Sequence, residues 1–100
     1  MLSKLPIDLD EVSDEDREKQ ILRAGLIAEL DAINLYEQMA ALSKKPLIKN
    51  VLLDVAEEEK EHVGEFLALL LEEDEEQEEE LEEGREEVEE ERKELEEDDD

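Results

Sequence analysis

The stretch ILRAGLIAELDAINLYEQMAAL, residues 21–42, sets its apolar side chains three and four apart and holds no proline. It reads as an amphipathic helix in which Gly25 is the one weak helix former. Upstream, Ser13 precedes Asp14, Glu15 and Asp16, an N-cap residue type followed by acids that suit the positive end of a helix dipole. The helix is expected to start there. Downstream, Ser43, Lys44, Lys45 and Pro46 end it: the lysines suit the negative C-terminal end, and Pro46 disfavours helical geometry at Lys45 while fitting the first turn of a following helix. A second helix then runs from about Leu47 to Glu73, again without an internal proline. A connection of about four residues makes the two helices antiparallel neighbours, so residues 14–73 are expected to form an αα-hairpin.

The segments on either side differ in kind. Residues 1–13 carry Pro6 and apolar residues out of helical step, and read as an extended N-terminal arm. Residues 72–100 carry a net charge of −18 against −8 for residues 1–71. Glu favours helix intrinsically but repels itself at neutral pH. Leu81, Val88 and Leu95 are the apolar residues there, and their seven-residue spacing keeps them near one stripe. Residues 74–100 thus read as an acidic C-terminal helix or tail: a short third helix touching the hairpin near Leu81 and Val88, or a partly disordered, solvated segment. The fold class is all-α.

Charge and composition exclude whole classes of function. The 100 residues hold 37 Asp+Glu against 11 Lys+Arg, a net charge of −26. Such a chain has no basic stripe with which to displace counterions from nucleic acid or to meet an anionic lipid surface. The longest apolar run lies around Leu67 to Leu71, far short of the roughly 18 residues of a membrane span. Without cysteine there is no disulfide, zinc-thiolate site, iron-sulfur cluster or thiol nucleophile. No basic segment followed by an apolar one opens the chain, so the expected location is cytoplasmic. Chemistry has to come from carboxylates and from His62, the single histidine.

Two glutamates stand where acids are not expected. At about 100° per residue, Leu22, Ile33, Tyr36 and Ala40 fall within about 40° of Glu29. On the second helix Leu52, Val55, Val63, Phe66 and Leu70 fall within about 40° of Glu59. The two patterns superpose residue for residue, Glu29 on Glu59 and Tyr36 on Phe66, so each helix carries one inward carboxylate at matching depth. A buried carboxylate costs several kcal/mol of desolvation unless it is protonated, ion-paired or bound to a cation. Arg23 and Lys60 point away from these stripes, and a metal is the economical answer. His62 follows Glu59 at the spacing that lets both ligate one ion. Glu-x-x-His on one helix facing Glu on another is the element of carboxylate di-iron sites in four-helix bundles, which use four carboxylates and two histidines. One chain supplies half of that set on half of a bundle. A homodimer with a pair of metal ions near its twofold axis completes both, with Glu29, Glu59 and His62 from each chain as ligands. Hard oxygen donors with one imidazole per metal suit iron or manganese better than zinc or copper. Tyr36 reads both as a core aromatic and as a hydrogen-bonding neighbour of a ligand carboxylate.

The segments Ala28–Gln38 (AELDAINLYEQ) and Glu57–His62 (EEEKEH) together resemble the encapsulated ferritin family, over roughly residues 14–90. The resemblance implies a two-helix protomer that dimerises into a ferritin-like four-helix bundle, with dimers assembled into a ring-shaped homodecamer. It implies a ferroxidase that oxidises Fe²⁺ to Fe³⁺ with O₂ at an inter-subunit di-iron centre, two irons per dimer, for iron storage in the lumen of an encapsulin shell. By position Glu29, Glu59 and His62 are the implied iron ligands, and Tyr36 the catalytic residue that hydrogen-bonds beside them. Other members carry a metal-access site of acids and a tryptophan one turn along the first helix. Asp31 matches one acid of it, while Ala28 and Leu35 stand where the second acid and the tryptophan are expected. Free cargo members end in a short apolar-basic docking peptide. The last residues here are Glu96, Glu97, Asp98, Asp99 and Asp100, which leaves trimming, fusion to a shell protein and absence of this targeting all open. The alternative from another class is a non-enzymatic acidic helical module that dimerises and binds divalent cations such as Ca²⁺ loosely at acidic surface sites.

Overall fold

The computed structural model describes residues 8–98, and the arm expected over residues 1–13 lies mostly outside them. Its described part holds one 3₁₀ turn, Leu9–Glu11, closed by the Glu11 N–H donating to the Asp8 carbonyl at 3.2 Å. Three helices follow: α1, Asp14–Leu42; α2, Pro46–Glu73; and α3, Glu75–Asp98. Among the described residues there is no strand.

Each helix end follows from local chemistry. Ser13 occupies the N-cap position of α1 in extended geometry, yet its hydroxyl donates to the Asp16 carboxylate at 3.2 Å rather than accepting a backbone N–H. The acids of the first turn are served instead by Arg17, whose guanidinium meets Asp14 at 2.9 Å. At the other end the Ser43 N–H donates to the Met39 carbonyl at 3.0 Å, and Lys45 and Pro46 turn the chain into α2 with proline in its first turn, where no N–H is required.

α1 and α2 pack along their length as an antiparallel pair. Ala40 and Ala56 are almost fully buried, so the helices approach closely where side chains are smallest, and Leu70 is the third buried apolar residue. That is a very small core. Among the described residues twelve large apolar side chains, from Ile21 to Leu95, stay exposed, so the protomer presents apolar faces for another surface to cover. The acidic segment is helical to Asp98, where a solvated tail was the other expectation. Arg85 and Arg92 each reach back to a glutamate three residues earlier, Glu82 and Glu89, and offset part of the repulsion among the α3 acids. The radius of gyration is 18.0 Å, against about 13 Å for a compact domain of this length. With extents of 54 × 44 × 21 Å, α3 projects from the hairpin rather than folding back on it.

Candidate metal centre

The inward direction of Glu29 and Glu59 is fixed by the packing of α1 on α2. Glu29 sits in the middle of α1 and Glu59 in the middle of α2, and their side chains are only 20% and 18% exposed. His62, one turn beyond Glu59, turns its Nδ1 between them, 3.5 Å from Glu29 Oε2 and 3.4 Å from Glu59 Oε2. At these distances the imidazole is a neighbour of both carboxylates, not a good hydrogen-bond donor to either. Glu29 Oε2 is buried with no hydrogen-bond partner. One ligating atom from each of the three residues lies within 4.8 Å of the other two, close enough to converge on a shared ion after small rotamer changes.

The two cations considered as partners for these carboxylates, Lys60 and Arg23, are engaged elsewhere. Lys60 meets Glu37 at 3.7 Å across the α1–α2 surface, an exposed pair of little energetic weight. Arg23 meets Asp74 at 2.8 Å. Neither neutralises Glu29 or Glu59, so the donor set, two carboxylates and one imidazole with an orphaned oxygen among them, fits a hard divalent cation.

The other residues singled out by the sequence fall around this group. Tyr36 is half-buried on α1, two turns beyond Glu29, and among the described residues its hydroxyl makes no hydrogen bond within the protomer. Asp31 is half-buried on α1 and is not part of the three-residue group. The acids of α3, for all their number, bring no second such group together among the described residues. No described helix is long and apolar enough to cross a membrane.

The residue missed in the sequence is Asp74. It lies between α2 and α3 and is the one buried charged residue among those described. Its Oδ1 accepts the Gln77 N–H at 3.1 Å and its Oδ2 the Arg23 guanidinium at 2.8 Å. The Gln77 N–H holds its carboxyl below the ordinary 3.8, against the opposing effect of burial and with help from Arg23 and Lys19. A lone Asp in a run of Glu, with Gln three residues on, is the pattern of a helix N-terminus and was the available signal.

A helical hairpin with Glu on one arm and Glu-x-x-His on the other has the architecture of a ferritin-like protomer, and this defines the class. The chain belongs to the EncFtn-like family, whose model matches residues 5–85. It is 55% identical over 83 residues to a ferritin-like-encapsulin shell fusion protein of Pyrococcus furiosus. That match covers 81% of this chain and 24% of the relative, so the chain spans about a quarter of the relative's length. The crystal structure of the encapsulated ferritin domain from Pyrococcus furiosus is similar at a TM-score of 0.77 and 54% identity, covering 90% of this chain and 94% of that one.

Proposed function

We propose that the chain is a ferroxidase that oxidises Fe²⁺ to Fe³⁺ with O₂ at a di-iron site shared by two subunits, for iron storage inside an encapsulin shell. One observation carries the reading: Glu29, Glu59 and His62 converge from two helices, with Glu29 Oε2 buried and unpartnered. A second protomer across a twofold axis contributes the same three residues and makes up the four carboxylates and two imidazoles of a di-iron bundle. The exposed apolar side chains of the hairpin and the 43% exposure of His62 support closure by another copy. Dimers of this kind assemble further into a ring, the homodecamer that the family resemblance implies. The fusion of a related domain to an encapsulin shell supports a place in the shell lumen for this chain too.

Substrate Fe²⁺ enters a site whose four carboxylates balance the charge of two ferrous ions. Each Fe²⁺ gives up one electron to O₂, and the fixed negative charge favours the more highly charged ferric product. Glu29 and Glu59 would hold the iron through their carboxylate oxygens as that charge rises, and His62 through its imidazole. Tyr36 would hydrogen-bond a ligand carboxylate once a second protomer closes the bundle, and Asp31 is the one acid that matches the access site of other family members.

The decisive experiment is oxidation of anaerobically loaded Fe²⁺ after O₂ addition, with the wild-type chain and with His62→Ala. Loss of a ligand is expected to lower the initial rate by at least about tenfold. The acidic cation-binding module makes the opposite forecast, since one imidazole among 37 acids matters little to loose binding. A His62→Ala protein that oxidises iron at the wild-type rate would falsify the ferroxidase assignment.

A further inference from the structure

Asp74 joins three helices through one side chain. It ends α2 in a non-helical conformation (φ −139°, ψ 88°), caps α3 through Gln77, and pairs with Arg23 on α1. Beyond this point α3 meets the hairpin only sparsely, and its far half, with Val88 and Leu95 exposed, stands away from it. Between α1 and α3 lies a cleft of about 540 Å³ lined by Asp16, Lys19, Arg23, Glu76 and Glu80 around Asp74. Among the described residues, Arg23–Asp74 is the one ion pair that ties α1 to the segment from which α3 departs.

We propose that the Arg23–Asp74 pair is a latch that fixes the direction of α3, and that opening it lets α3 swing about Asp74 as a rigid arm while the hairpin stays folded. The lever is long. A helix of 24 residues extends about 36 Å, so a small rotation at its first turn moves its far end by many ångströms. The cap from Asp74 to Gln77 preserves the helix itself when the pair to Arg23 is lost, which separates the direction of α3 from its formation.

The latch responds to acid in a definite sense. A carboxyl held below its ordinary 3.8 keeps its pairing above that value and loses it only as pH falls through the lowered one, so the latch is closed at neutral pH and opens only in strong acid. The groups facing it are Lys19 and Asp16 on α1 and Glu76 and Glu80 on α3. Glu80, pushed above its ordinary 4.5 chiefly by the charge of Glu83, becomes neutral earlier in the same descent and leaves Lys19 and Arg23 facing Asp74.

The absence of cysteine makes the test clean. Spin labels on Asp54→Cys in α2 and Glu90→Cys in α3, both exposed, report the α2–α3 distance by pulsed electron resonance in the full chain, diluted with unlabelled protein. With Arg23→Met, the distance distribution at neutral pH is expected to widen about twofold, with helical content and melting unchanged. Asp74→Asn, which keeps an acceptor for the Gln77 N–H and removes the charge that Arg23 meets, is expected to widen the distribution in the same way. Distributions of the same width in wild type, Arg23→Met and Asp74→Asn would overturn the latch. Asp74→Asn keeps the test decisive should Arg23→Met fold poorly.

Discussion

Glu29 is the residue at which stability and function oppose each other. Its Oε2 is buried without a hydrogen bond, and a group in that state costs about 1–3 kcal/mol unless something binds it. Replacement by Gln keeps the shape and removes the charge. Glu29→Gln is therefore expected to raise the stability of the metal-free protein by about 1 kcal/mol and to abolish the rise in melting temperature that Fe²⁺ or Mn²⁺ gives the wild type. Thermal melts with and without metal under anaerobic conditions measure both effects. Unaltered metal-free melting together with a retained metal-dependent rise would show that Glu29 is not a ligand. Gly25 answers to a different constraint. No glycine among the described residues has a positive φ, so Gly25 is not required by backbone conformation. It is required by space, because a Cβ there would stand 2.7 Å from Cε1 and 2.8 Å from Cδ1 of Phe66. Ala gains up to about 1 kcal/mol of helix propensity, whereas forcing the ring aside costs about 1–3 kcal/mol. The balance predicts a lower melting temperature for Gly25→Ala; a higher one would mean that Phe66 turns away freely.

The elements were legible to the degree that their causes are local. Pro46 marks the start of α2, and the acids after Ser13 mark the start of α1, because both act within one turn. The inward placement of Glu29 and Glu59 was legible for a similar reason: helical period alone puts each in an apolar stripe, and the hairpin then brings them together with His62. The direction of α3 was not legible, because it depends on Arg23 meeting Asp74 across 51 residues of sequence, which no periodicity records. Its continuous helicity was uncertain in sequence because propensity and repulsion oppose each other along a run of Glu. That opposition is itself testable. The charge of Glu83 raises the Glu80 carboxyl above its ordinary 4.5, so protonation favours the helix, and helix stability rises as pH falls through that raised value. Carbon chemical shifts of residues 75–98 are expected to become more helical as pH falls from neutral toward the ordinary 4.5. Shifts that stay constant or move toward coil would mean that the Arg85–Glu82 and Arg92–Glu89 pairs already offset the repulsion.

At the scale of the whole molecule, the charge of −26 and the sparse core are two sides of one design. With three buried apolar residues among those described, the protomer leaves apolar faces for another surface to cover, and in the proposed assembly copies that each carry this charge repel one another unless cations collect among them. The acidic α3 can then act on the metal centre only through the long-range field, since no described group of its residues converges on an ion. Such a field reaches about 10 Å at 0.1 M salt and about 30 Å at 0.01 M, whereas α3 is about 36 Å long. Its far half therefore contributes to Fe²⁺ capture only at low ionic strength. Deleting residues 75–100 is expected to lower the initial rate of iron oxidation at 0.01 M salt by at least about twofold, and to leave it nearly unchanged at 0.15 M. Stopped-flow measurements across that range of salt separate steering from catalysis, because loss of a ligand such as His62 lowers the rate at every ionic strength. A truncated protein with the same salt dependence as the full chain would remove α3 from iron capture and leave attraction to the hairpin acids alone.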